Sequence, residues 1–151
     1  MSNTQAMCTS FKGEILSGVH ALGTTVTRAT TAADTLKAAL YVTTATVNAS
    51  TTAYSATNEV SGAGYSAGGV TVTNATAPTT SGTTGYWTPS ASITYTSVTL
   101  TTAFDCVLIY NSTQSNKAIS VHTFGSQTVT AGTFTLTMPT NDASNALIRI
   151  A

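Results

Sequence analysis

Residues 104–111 read FDCVLIYN. Only Asp105 and Asn111 interrupt an apolar run of strand length. Such a run predicts a central strand covered on both faces. Asp105 falls between Phe104 and Cys106, so its side chain points away from theirs and is expected to meet a buried base or a subunit interface. Immediately upstream, SITYTSVTL (92–100) alternates Ile93, Tyr95 and Ser97 against Thr94, Thr96 and Val98, the pattern of a half-buried strand. Downstream, AISVHTF (118–124), SQTVT (126–130), TFTLTMP (133–139) and ALIRI (146–150) read as further strands. TAGTF (130–134), centred on Gly132, predicts a tight hairpin between two of them. Toward the N-terminus, Leu36, Ala38, Leu40 and Val42 alternate with Lys37, Ala39 and Tyr41, and Val70 and Val72 mark a short strand.

About eight strands at 8–12-residue spacing predict an all-β fold, mainly an antiparallel sandwich or a jelly-roll-like barrel. One short N-terminal helix joins it. Phe11, Ile15, Val19 and Leu22 form one apolar stripe over residues 11–22, with Thr9 or Ser10 as the cap and Gly23 as the stop. Gly13 and Gly18 each weaken such a helix by about 1 kcal/mol, so it depends on docking. The expected organisation is a single domain over 1–151, with an arm over 1–10, the helix over 11–22 and a β-rich body over 34–151. The stretch 43–86 is the least regular. A structureless loop of that length is unusual in a compact domain, so it is expected to hold short strands and to be ordered in part by other chains.

At 151 residues the chain has the length of one ordinary domain. Only 7% of residues are charged, five basic against five acidic, whereas about 25% is usual. Zero net charge offers nothing to attract nucleic acid or an anionic membrane. It also leaves copies with little mutual repulsion, which suits a subunit of an assembly. Threonine is the commonest residue, and its β-branching favours strands while its hydroxyl lets a strand face water without charge. The first ten residues lack the basic and apolar regions of a secretory signal, and no run of about 18 apolar residues occurs. The expectation is a protein made and left in a cytoplasm, reaching any extracellular place through assembly. Cys106 sits in an apolar strand and reads as a buried thiol; pairing with Cys8 is left open.

Candidate chemistry is sparse. His20 and His122 have no metal-ligand spacing around them and read as structural. Glu14, Asp34, Glu59, Asp105 and Asp142 are scattered singly, although two could meet in three dimensions as a carboxylate pair. The glycine-rich stretch EVSGAGYSAGGVTVT (59–73) resembles a phosphate cradle at first sight. A P-loop needs a lysine that is missing here, since none lies between Lys37 and Lys117. A dinucleotide fingerprint opens a helix, whereas GGVTVT opens a strand. The glycines therefore read as a turn or bulge that allows positive φ or close backbone approach, within the fold or against another chain. No catalytic, cofactor or metal residue is assigned, and no enzyme is expected. The tyrosines and Trp87 read as core or interface anchors before sugar platforms.

Four stretches together carry a likeness: QAMCTSFKGEILSGVHALG (5–23), TLKAALY (35–41), TAYSATNEVSGAGYSAGGVTVTNAT (52–76) and TAGTFTLTMPTNDASNALIRIA (130–151). They resemble a family of small virion proteins of tailed bacteriophages and prophages, across nearly the whole chain. The resemblance implies a structural virion part, best a head cement or decoration protein, β-rich and commonly trimeric, seated where capsomers meet. Its partners would be the major capsid protein and copies of itself, without nucleic acid, membrane or cofactor. A tail, neck or fibre component is the alternative it implies. In the cement reading, the N-terminal arm and the 43–86 region are the elements expected to reach neighbouring subunits.

Overall fold

The computed structural model describes residues 3–16, 18–23 and 33–151. The chain is antiparallel all-β with one short helix. Its elements are β1 (Ala6–Met7), α1 (Thr9–Leu16), β2 (Leu36–Val42), β3 (Val70–Thr71), β4 (Thr79–Ser81), β5 (Thr84–Trp87), β6 (Ile93–Asn111), β7 (Lys117–Leu136) and β8 (Ile148–Ile150). They form a five-stranded sheet in the order β1-β7-β6-β2-β3 and a three-stranded sheet in the order β4-β5-β8. One continuous core runs from Phe11 and Leu36 through Tyr95, Leu100 and Leu108 to Trp87 and Ile148, so both sheets contribute to it.

FDCVLIYN is central, as its apolar run predicts. It forms the last part of β6, flanked by β2 on one side and β7 on the other, and Phe104, Cys106, Leu108 and Ile109 are all buried. The strand count hides a correction. SITYTSVTL and FDCVLIYN are one strand of 19 residues, and the three predicted strands over 118–139 merge into one of 20. TAGTF is no hairpin. Gly132 lies inside β7, opposite Val98, and the chain reverses instead over 112–116, where Ser115 and Asn116 take positive φ.

Strands this long twist out of register unless they are bulged, and β6 and β7 shift register repeatedly. Four residues of β6 (Tyr95 to Val98) face three of β7, then four of β7 (Val129 to Gly132) face three of β6. Ser97 (φ 53°) and Ala131 (φ 46°) sit at these compensating bulges. The first bulge overturns the expected alternation. Strict period two puts Val98 on the threonine face, but the extra residue returns it to the core beside Ile93 and Tyr95.

The helix is shorter than its apolar stripe and starts earlier than expected. It stops because Gly18, at φ 67°, accepts a left-handed cap: Gly18 N–H donates to Ile15 O and Val19 N–H to Glu14 O. Gly18, not Gly23, is therefore the stop, and Val19 and Leu22 lie beyond the helix. No cap hydrogen bond forms through Ser10, whose Oγ is buried without a partner. Phe11 is fully buried and Ile15 packs beside it on the core.

Residues 3–8 are not a free arm. β1 pairs with β7, Thr4 N–H donates to Val47 O, and Asn3 donates through Nδ2 to Val42 O and Asp105 Oδ1. The 43–86 region is likewise ordered by this chain itself: Ala45, Val47, Val60 and Val72 are buried in the common core. The short strands expected in 43–86 are present as β3, β4 and β5. Outside these and β1, the two segments lack strand periodicity because their backbone groups bond to β2, β6 and β7 one at a time rather than in ladders.

Candidate functional site

Three places gather polar or aromatic side chains. The first is the glycine-rich stretch. Gly62, Gly64 and Gly69 lie so close to the strands below that a Cβ would fall 1.9, 2.1 and 1.7 Å from the carbonyl oxygens of Thr99, Ser97 and Ala38. The close approach is thus made to β6 and β2 of the same chain, not to a neighbouring subunit. Gly69 additionally needs φ 69°. Laid down this way, the stretch encloses Glu59. Tyr54 Oη donates to Glu59 Oε2 at 2.6 Å, and Tyr65 Oη (2.7 Å) and Gly68 N–H (2.8 Å) donate to Oε1. Tyr54 stacks on Tyr110 at 4.8 Å and Tyr65 on Tyr95 at 5.9 Å. Tyr110 Oη donates to Gly68 O and Tyr95 Oη to Ala38 O. Burial, then the bond to the Glu59 carboxylate, pushes the Tyr54 and Tyr65 phenols above their ordinary range. The Glu59 carboxylate takes its donors from its own chain.

The second place joins α1 to the β6–β7 turn. His20 Nε2 lies 2.7 Å from Glu14 Oε2, its Nδ1 lies 3.0 Å from Asn111 Nδ2, and its ring meets Phe11 edge-on at 4.8 Å. Asn111 Nδ2 can only donate, so Nδ1 accepts and the proton sits on Nε2, facing Glu14. Asn111 Nδ2 also donates to Asp34 Oδ2, which accepts from Ala21 N–H as well, and Gln114 Nε2 donates to Asp34 Oδ1. Lys117 Nζ lies 2.5 Å from Glu14 Oε1. Burial raises the Glu14 carboxyl, but the bonds from Lys117 and His20 outweigh it and hold the group below its ordinary value. Glu14 and Asp34 are therefore the two acids that the fold brings together. They are no cleavage pair, because His20 and Asn111 stand between them. The His20 side chain has no exposed surface, and both ring nitrogens are committed. The network can fasten α1, the segment at residue 34 and the turn; it presents no attacking group.

The third place is a groove of about 540 Å³ between the α1 end and the small sheet. Ile15, Leu22, Pro78, Tyr86, Trp87 and Ile150 line it. Ile150 is the one large apolar side chain standing well exposed among the described residues, at 49%. The Trp87 indole N–H is already donated to Thr76 O.

The remaining candidates stay apart. Asp105 Oδ1 accepts from Asn3 Nδ2 of the same chain, not from a buried base. Asp142 accepts from Asn145 Nδ2, Ser144 N–H and Asn145 N–H in a surface turn, bonds that hold its carboxyl low. His122 lies 2.9 Å from Ser120 Oγ, and burial holds its ring down to about 4. Cys8 and Cys106 are unpaired buried thiols; burial pushes them up to about 11 and about 12, which makes them poor nucleophiles. Among the described residues no group of three or more His, Cys, Asp or Glu is placed to hold a metal ion, and no helix is long and apolar enough to cross a membrane.

Sequence reasoning missed the two hydrogen-bonded centres because their members are far apart, 103 positions in the case of Glu14 and Lys117. The adjacency of Glu59 to a tyrosine five positions before it and another six after it was the one local signal. Compared with known protein families, with curated proteins and with solved structures, the chain matches none.

Proposed function

We propose that this chain is a non-enzymatic structural component of a tailed-bacteriophage virion, a cement or decoration protein that stabilises the expanded head. One observation supports a structural over a catalytic reading: Glu14, Asp34, Glu59, Asp105 and His20 all serve as hydrogen-bond anchors for the chain's own loops. The remaining surface is threonine-rich and nearly uncharged. Such a surface suits many modest contacts repeated by symmetry rather than one strong site. A subunit that binds only the expanded lattice stabilises it by linkage. The support for the virion setting is the resemblance of the four stretches given above.

The experiment is a count of copies per virion together with a head-stability assay. Cement predicts lattice-set stoichiometry, and heads lacking the protein that break at lower temperature. A few copies at the tail would overturn it. A second reading, a tail or fibre part with a receptor surface, is favoured by the apolar groove beside Tyr86 and Trp87. Binding of the isolated protein to host cells or glycans would support that reading.

A further inference from the structure

β7 is a free edge along most of its length. β1 pairs only with Val121 and Ser120. From Thr123 to Leu136, β7 has β6 on one side and, among the described residues, no strand on the other. Gly125, Ser126, Gln127, Thr128, Thr130 and Thr133 are exposed there. A strand edge presents a row of backbone N–H and C=O groups that another strand can pair with. Folded proteins usually block such edges with lysine, proline or inward-pointing charge. This edge has none of them: no Asp, Glu, Lys or Arg occurs between Lys117 and Asp142, and no proline between Pro89 and Pro139. Its defences are backbone irregularities, the bulge at Ala131 and a second register shift between Thr123 and Gln127, and the Gln127 Nε2 bond to Gly125 O.

We infer that the β7 edge, residues 123–136, pairs antiparallel with the same edge of a second copy of this chain. The backbone groups specify a β-strand as the occupant. The charge pattern favours a second copy: a two-fold contact sets residue i of one copy against residue j of the other and j against i, so any charge on the edge would meet the same short segment again, and like charges opposite each other would oppose it. Here the exposed side chains are neutral, so the edge is complementary to itself. The open backbone groups on the two copies would then close one continuous sheet across the axis. This inference rests on the self-association part of the reading above, and names the surface that carries it.

The test uses the full chain. Its molar mass is followed against concentration by sedimentation, alongside amide hydrogen exchange. Association is expected, with residues 123–136 gaining protection as it proceeds. The double variant Gln127→Lys/Thr133→Lys is expected to raise the dissociation constant on the order of tenfold or more. Mixing it with Gln127→Glu/Thr133→Glu is expected to restore association. Thr94→Lys/Thr96→Lys, an equal charge on exposed positions of the inner strand β6, is expected to leave it within about twofold. A chain that stays monomeric overturns the inference, whatever head binding shows. So does an assembly that survives the edge variants with 123–136 unprotected; the structural reading would stand and another surface would carry the contact. Protection of 123–136 that appears only with a different protein, and not between copies, also overturns it.

Discussion

The half of the β6–β7 pair nearest its turn, residues 104–123, is clamped between β1 and β2, and its core positions are buried on both sides of the sheet. The far half, residues 93–103 with 124–136, carries apolar side chains on one face only. Ile93, Tyr95, Val98 and Leu100 point into the core under the glycine-rich stretch, while Thr94, Thr96, Thr101 and Thr102 face out. The near half is held by neighbouring strands in ladders; the far half is held by a loop that approaches through glycines and by a tyrosine hub around Glu59. Burial on both faces suppresses charge and also alternation, whereas burial on one face keeps alternation and lets threonine replace charge on the other. The difference explains why two continuous strands looked like five.

The contrast can be broken most sharply by side-chain truncation. Leu108→Ala, at a fully buried near-half position, is expected to cost about 2–5 kcal/mol in urea unfolding, and Leu136→Ala, half-buried in the far half, clearly less. Equal losses would mean that the two halves are not built differently. Next, Gly69→Ala forces a Cβ to within 1.7 Å of Ala38 O at φ 69°. About 3 kcal/mol should be lost, with faster amide exchange in the glycine-rich stretch than in β7 near the turn.

A pH titration probes the boundary between the halves, where His122 sits. Burial lowers its ring from 6.5 to about 4. The unfolded chain therefore takes up this proton near pH 6.5, while the folded chain resists it until about pH 4. The stability carried by the neutral ring is complete above pH 6.5 and is lost as pH falls toward 4, by on the order of 3 kcal/mol. His122→Gln should flatten stability across that window. Below about 4.5, the ordinary value of Glu14, a further loss is expected as its depressed carboxylate is protonated, and Glu14→Gln should remove that limb. Glu59→Gln, which keeps one acceptor for Tyr54, Tyr65 and Gly68, is expected to cost about 1–2 kcal/mol, read as a lowered urea midpoint with unchanged slope. The smallest effect belongs to the outer threonine face: Thr94→Ser should shift stability by no more than about 0.5 kcal/mol.

The candidate sites were legible only in part. FDCVLIYN announced a central strand because an apolar run of that length has few other homes. The glycines of 62–69 announced close backbone approach, since the lysine and helix that phosphate binding needs are missing. The partner of that approach was not legible, because Ser97, Thr99 and Ala38 are distant in sequence. The same holds for the His20 network, whose members come from α1, the segment at residue 34 and both ends of the β6–β7 turn.

By itself, the amino-acid sequence determined the class of the fold: threonine and β-branched residues with period two, sparse charge, one short helical stripe and glycine where backbone must pass close. These are local preferences, and each is expressed within a few residues. Tertiary structure decided where strands end, which face Val98 takes, where the helix stops and what surrounds Glu59 and His20. A bulge at Ser97 and a cap at Gly18 are chosen by register and docking against segments far along the chain, and no local pattern encodes those distances.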